Sequence, residues 1–219
     1  MDKVEQNLAR IKTQIAPYNP IIVAVTKYFD EKQIIRYYEL GLRDFGENRV
    51  KDALDKIKKL PDEIRQNSRF HLIGHLQTNK VKQAVGNFDL IHSVDSLRLA
   101  EAIDEEAKKK GIIQRVLVQV NNAREEQKYG FLPEELKENF PKLLKLSSIS
   151  IEGIMNIAPL GEDSEKLREL FKNIKQIHDD LRFEWGVELK HISMGMSNDF
   201  LIALEEGATI IRLGRILFT

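Results

Sequence analysis

Three groups of residues in this chain have the types and spacing to do chemistry. The first is Lys27, which closes the β-branched run Ile21-Ile22-Val23-Ala24-Val25-Thr26. An amine at a strand tip can attack a carbonyl carbon, and burial there disfavours the charged form and exposes the lone pair. The plainer alternative is a lysine that snorkels from a strand end, its stem on the core and its ammonium in water. The other two groups are Ser193-Met194-Gly195-Met196-Ser197-Asn198-Asp199 and Arg212-Leu213-Gly214-Arg215. Hydroxyls beside glycine-permitted backbone amides can cradle a phosphate, although a tight turn before a helix would explain the same serine-glycine pattern. A reactive amine facing a phosphate cradle is a site for a phosphorylated aldehyde, and pyridoxal 5′-phosphate has both handles.

Whether these groups meet depends on the elements that carry them. Pro17 and Pro20 bound the first apolar run, and further strand-like runs fall at residues 43–48, 69–74, 90–94, 115–120, 149–156, 189–193 and 209–214. Helical patterns separate them. Val4, Leu8, Ile11 and Ile15 make an amphipathic N-terminal helix, and Asp30 is placed to cap a helix that Gly41 closes. Pro61 stops the next helix, Asp95 caps another over 96–110, Pro133 opens one, and Asp163 or Ser164 caps a long one through His178. Alternation of this kind predicts parallel βαβ units, and eight of them predict one (β/α)8 barrel of the TIM type over residues 1–219, with an extra N-terminal helix. An open dinucleotide-binding sheet would need a glycine-rich turn where this chain has Lys27-Tyr28-Phe29. In a barrel, the first, seventh and eighth strand ends are neighbours. The residues expected on that face are Lys27, Asn48, His75, Ser93, Asn121, Asn156, Ser193 and Arg212, every one polar.

Composition narrows the function classes. The 219 residues carry 34 basic and 34 acidic side chains, so no net field attracts nucleic acid or an anionic membrane. An anion must be held by local geometry. The chain has no cysteine, which excludes disulfides, thiolate metal sites and cysteine nucleophiles. No apolar run approaches the length of a membrane span, and a cytoplasmic monomer is expected. His71 and His75 are four apart with no carboxylate pair beside them, which is poor evidence for a metal site. The lysine runs 56–59 and 108–110 read as solvated helix faces, and Lys128 as an exposed loop residue.

The segments AVTK, FGENRVKD, FHLIGHLQTNK, HSVDS, QKYG, GIMNIA, HISMGMSNDF and EEGATIIRLGR resemble, in order and across nearly the whole chain, the YggS/PROSC family of pyridoxal-phosphate-binding homeostasis proteins. That family is similar to the barrel domain of alanine racemases. The resemblance implies that Lys27 carries the cofactor as an internal aldimine and that Arg212 faces the pyridine nitrogen. It implies that Ser193 or Ser197, with the amides of Gly214 and Arg215, holds the phosphate, and that Asn48, His75 and Met155 line the pocket. Many relatives have a short tail beyond the position of Thr219.

Three activities compete: a carrier that holds the cofactor and delivers it to apo-enzymes, an amino-acid racemase, and a Schiff-base aldolase without cofactor. An arginine opposite the ring nitrogen leaves that nitrogen unprotonated and weakens the ring as an electron sink. Racemases of the related fold also take a tyrosine base from a C-terminal domain that would begin where this chain ends, although Tyr28 or Tyr129 could substitute. An aldolase leaves Arg212 without a partner. Cofactor binding without turnover is therefore expected, with racemisation as the alternative.

Overall fold

The structure, a computed structural model, describes residues 2–217; Met1, Phe218 and Thr219, at the ends of the expected domain, lie outside them. Eight parallel strands close on themselves in chain order: β1 (Ile21–Val25), β2 (Asp44–Glu47), β3 (Arg69–Leu72), β4 (Leu90–Val94), β5 (Gln114–Gln119), β6 (Ile149–Met155), β7 (His191–Ser193) and β8 (Ile210–Leu213). The closing pair sets Val23 of β1 beside Arg212 of β8. The helices are α1 (Lys3–Ile15), α2 (Glu31–Glu39), α3 (Val50–Ile57), α4 (Asp62–Gln66), α5 (Val81–Ala84), α6 (Leu97–Lys110), α7 (Pro133–Leu143), α8 (Ser164–Trp185) and α9 (Phe200–Glu205).

Period-two alternation divides the strands into two packing layers. Ala24, Phe45, Leu72, Ile91, Val118, Ile154, Ile211 and Leu213 face the helices and join the large outer core. Val23, Leu90, Leu117, Met155 and Ile210 form a separate cluster inside the barrel. Gly46 makes room for it, since a Cβ there would lie 2.7 Å from Val23 Cγ1. The register of β6 slips against β5 between Ile151 and Gly153, leaving Glu152 as the extra residue. Gly153 then passes so close to β7 that a Cβ would sit 1.8 Å from the His191 carbonyl oxygen.

Several boundaries differ from the sequence expectation for local reasons. The hydroxyl of Ser96, not Asp95, caps α6 by accepting the Leu99 N–H, because the helix starts one residue later and Asp95 turns to His75. Asp163 caps α8, which runs on to Trp185 and ends on Gly186 at φ +61°. The helix stopped by Pro61 gives way to α4, a short helix with Asp62 and Glu63 in its first turn and Ile64 buried. No described helix is long and apolar enough to cross a membrane.

Candidate functional site

The end of β1 is held by a buried ion pair. Thr26 Oγ1 donates to Glu47 Oε1 at 2.6 Å, Lys56 from α3 pairs with the same carboxylate oxygen, and Lys56 Nζ also donates to the Thr26 carbonyl at 2.9 Å. Lys56 is thus no part of a solvated face. It clamps the backbone one residue before Lys27. Lys27 follows in the turn after β1, where it lines a cavity at the barrel mouth with Tyr28, Glu47 and Asn48. Its side chain is exposed, with Nζ 4.8 Å from the centre of the Tyr28 ring. The apolar enclosure expected around this amine is therefore absent; the lysine stands two residues beyond the strand.

Arg212, on the neighbouring strand, is buried. Its Nη1 donates to Ser193 Oγ at 2.7 Å and its Nη2 to the Asn156 carbonyl at 2.7 Å, and among the described residues it forms no ion pair. Burial pushes its pKa down to about 10, partly offset by the Asp199 carboxylate. Behind it the interior is polar. Ser193 Oγ lies 3.0 Å from His92 Nδ1, His92 Nε2 lies 2.9 Å from His71 Nδ1, and His71 Nε2 lies 2.9 Å from Asp44 Oδ1. Arg69 closes the row with a bidentate contact to Asp44 at 2.7 and 2.6 Å. Burial above all, with the positive charge of Arg212 beside it, holds His92 well below the ordinary histidine value, so it is neutral. Burial pushes the Asp44 carboxyl up, but hydrogen bonds from His71 and Arg69 outweigh it and keep it below its usual value.

The two serines therefore part company. Ser193 is buried in the interior row, whereas Ser197 stands near the surface, where the amides of Gly214 and Ile216 donate to its Oγ at 3.3 and 3.4 Å. Gly195, at φ +89°, makes the turn between them, and a Cβ there would strike Ala203 at 2.6 Å. Gly214 has room above it, its nearest obstacle being Val25 at 3.5 Å. The Arg215 side chain is exposed.

Asn48 joins two adjoining cavities. One of about 220 Å³ is bounded by Lys27, Tyr28, Glu47 and Asn48; the other, of about 330 Å³, reaches His75. His75 Nδ1 lies 2.9 Å from Asp95 Oδ2, and its ring stacks on Tyr129 with centroids 3.6 Å apart. Tyr129 belongs to the loop after β5, and Lys128 ties that loop down by donating to the Ala158 carbonyl at 3.1 Å and pairing with Glu125. Lys128 is half-buried rather than an exposed loop residue. Met155 is fully buried in the interior cluster beneath the mouth, and Ser93 is buried with no hydrogen-bond partner for its hydroxyl among the described residues.

A family model described as "Alanine racemase, N-terminal domain" matches residues 1–219. The pyridoxal phosphate homeostasis protein of Aquifex aeolicus is 43% identical over 90% of this chain and 85% of its own length, and that of Synechocystis is 39% identical over 90% and 89%. The chain belongs to this family, among the pyridoxal phosphate homeostasis proteins. The solved structure of PipY from Synechococcus elongatus with PLP bound is similar at 36% identity, with a TM-score of 0.89 over 99% of this chain and 100% of that one.

For a member of this family, the residues that sequence reasoning missed are Glu47, Lys56, Asp44 and His92. His92 had a signal, as a titratable side chain within the largely apolar strand β4, on the face that points into the barrel; Asp44 had a weaker one, since it opens a strand that also carries Glu47. Lys56 had none, because its partner Glu47 lies on another element.

Proposed function

We propose that this protein holds pyridoxal 5′-phosphate in the mouth of its barrel, covalently through Lys27, and serves to store and deliver the cofactor rather than to turn over a substrate. The observation that carries this reading is Arg212: a buried guanidinium with no ion pair among the described residues, on the strand beside the one that leads to Lys27. A buried cation that the Asp199 carboxylate only partly offsets is costly, and a guanidinium with donors to spare suits a ring nitrogen that only accepts. Ser197, with the Gly214 and Ile216 amides directed at it, fits a phosphate. The Asn156 Oδ1, buried and without a partner among the described residues, is one more polar atom available beside Arg212. The names of the relatives and the PLP-bound PipY structure support the same choice.

When bound, the cofactor would supply an aldehyde, and Lys27 would be the amine at the mouth placed to hold it. Arg212 remains cationic at neutral pH even with its pKa near 10, so facing the ring nitrogen it would donate a hydrogen bond without giving up a proton. That arrangement favours holding over carbanion chemistry. Ser197 and its neighbouring amides secure the phosphate, and Lys27 stays open to incoming amines at the exposed mouth, which lets an apo-enzyme take the aldehyde.

The test is the visible spectrum of the purified protein before and after borohydride, followed by peptide mapping. A chromophore reduced onto Lys27 and missing from Lys27→Ala is expected; label found mainly on Lys128 refutes the assignment. Ser197→Ala should weaken PLP roughly ten- to a hundredfold and leave unphosphorylated pyridoxal almost unaffected. Deuterium exchange at the α-carbon of L-amino acids, at about 1 per second or faster, would favour a racemase instead.

A further inference from the structure

The row of side chains behind Arg212 has only one consistent order of protons. Arginine has no lone pair, so Arg212 donates to Ser193 Oγ. At the far end Asp44 is an ionised carboxylate that accepts from His71 Nε2–H. With its proton on the Nε2 that faces Asp44, His71 presents a bare Nδ1 that accepts from His92 Nε2–H, and the bare Nδ1 of His92 accepts the Ser193 hydroxyl proton. Every donor then meets an acceptor. In the reverse order His71 would need a second proton, His92 would donate through Nδ1, and the Ser193 hydroxyl would have no acceptor among the described residues.

We infer that His92 and His71 are positioning residues for Arg212: as a one-directional hydrogen-bond chain ending on Asp44, they turn the Ser193 proton away from the guanidinium, so that a Ser193 lone pair fixes it in place toward the cofactor ring. The inference rests on the reading that Arg212 faces that ring. The chain crosses the barrel through β4, β3 and β2, and Arg69, half of whose side chain is exposed, meets solvent at its far end. The place of Arg212 is thus set from the opposite rim. Neither histidine touches the mouth of the site; both act through Ser193.

The first measurement reads proton positions in the cofactor-free protein by long-range ¹H–¹⁵N correlation on ¹⁵N-histidine-labelled wild type. Protons on Nε2 of both His71 and His92 are expected, and a proton on His92 Nδ1 overturns the inference. The second titrates pyridoxal 5′-phosphate into His92→Phe and His92→Asn and follows the visible band. His92→Phe removes the acceptor for Ser193 and should weaken binding about tenfold and shift the band, whereas the Asn side chain offers an acceptor near the Nδ1 position and should restore most of both. A merely structural role would lower the stability of both variants and leave the band in place. Wild-type affinity and band in a folded His92→Phe overturn this inference alone. A wild type that takes up no cofactor overturns the proposed function and this assignment with it. The tautomers are read on the wild type, so the test survives a variant that does not fold.

Discussion

Replacing Lys56 with methionine tests the buried pair that anchors the site. Methionine fills most of the volume of the lysine stem, so the packing change is small and the perturbation is electrical. It leaves Glu47, whose side chain is 2% exposed, without its cation, while the Thr26 hydroxyl alone still donates to it. Breaking one side of a buried pair costs about 3–5 kcal/mol. At about 2–4 °C per kcal/mol for a chain of this size, the midpoint of thermal unfolding should fall by about 6–20 °C. Urea unfolding followed by circular dichroism gives the free energy directly. In the double variant Glu47→Gln/Lys56→Met no charge remains and the Gln carbonyl still accepts from Thr26. It should recover to within about 1.5 kcal/mol of wild type, close to the worth of the one hydrogen bond lost at the Thr26 carbonyl. A loss below about 1 kcal/mol for Lys56→Met, the scale of an exposed pair, or simple additivity in the double variant, would refute the reasoning.

Acid should weaken the fold before its carboxylates titrate. His92 and His191 are held below the ordinary value of 6.5, chiefly by burial, so the unfolded chain binds more protons as the pH drops below that value. Stability should fall by up to about 1.4 kcal/mol per pH unit for each histidine between about pH 6.5 and pH 5.5, and a flat urea midpoint across that span contradicts it. Gly153→Ala drives a Cβ into the His191 carbonyl, so no soluble folded protein is expected, and a cooperative unfolding transition like that of wild type would show the approach to be looser. Tyr129→Ala removes the ring stacked on His75 and should speed cofactor release by about two- to twelvefold, as one aromatic contact is worth about 0.5–1.5 kcal/mol; an unchanged rate in a trapping assay argues that the loop does not cover the site.

What could be read from the sequence were the features written within a few neighbouring residues. Strands such as β1, β4 and β8 appear as largely apolar runs, and Asp30 and Asp163 announce their helices because a cap acts on the amides two or three residues on. Where two capping residues stand side by side, as Asp95 and Ser96 do, local sequence does not choose between them; the choice falls to His75, 20 positions away, which takes Asp95. The end of β1 shows the same limit: the run of β-branched residues located Lys27 but could not tell that the chain leaves the sheet before reaching it. Lys56 looks like its solvated neighbours Lys58 and Lys59 because nothing within a helical turn marks its partner. The split between Ser193 and Ser197 was equally hidden, since it depends on His92 and on the amides of Gly214 and Ile216, all brought in by other strands and loops.

The barrel is not equally well sewn all the way round. β7 has only three residues and one aligned pair with β8, Ser193 with Ile210, supported by the backbone hydrogen bonds Thr209 to Ile192, Met194 to Ile210 and Arg212 to Gly195; the Ile192 amide finds the Thr209 hydroxyl instead of a strand carbonyl. The loops that present Ser197 and Gly214 hang from either side of that thin join. Amide hydrogens along it should exchange with solvent sooner than those of the long β5–β6 ladder, through partial openings well short of global unfolding. An anion gripped by both loops would act as a rivet across the join, so that filling the site slows exchange at β7 and β8 far more than at the opposite wall.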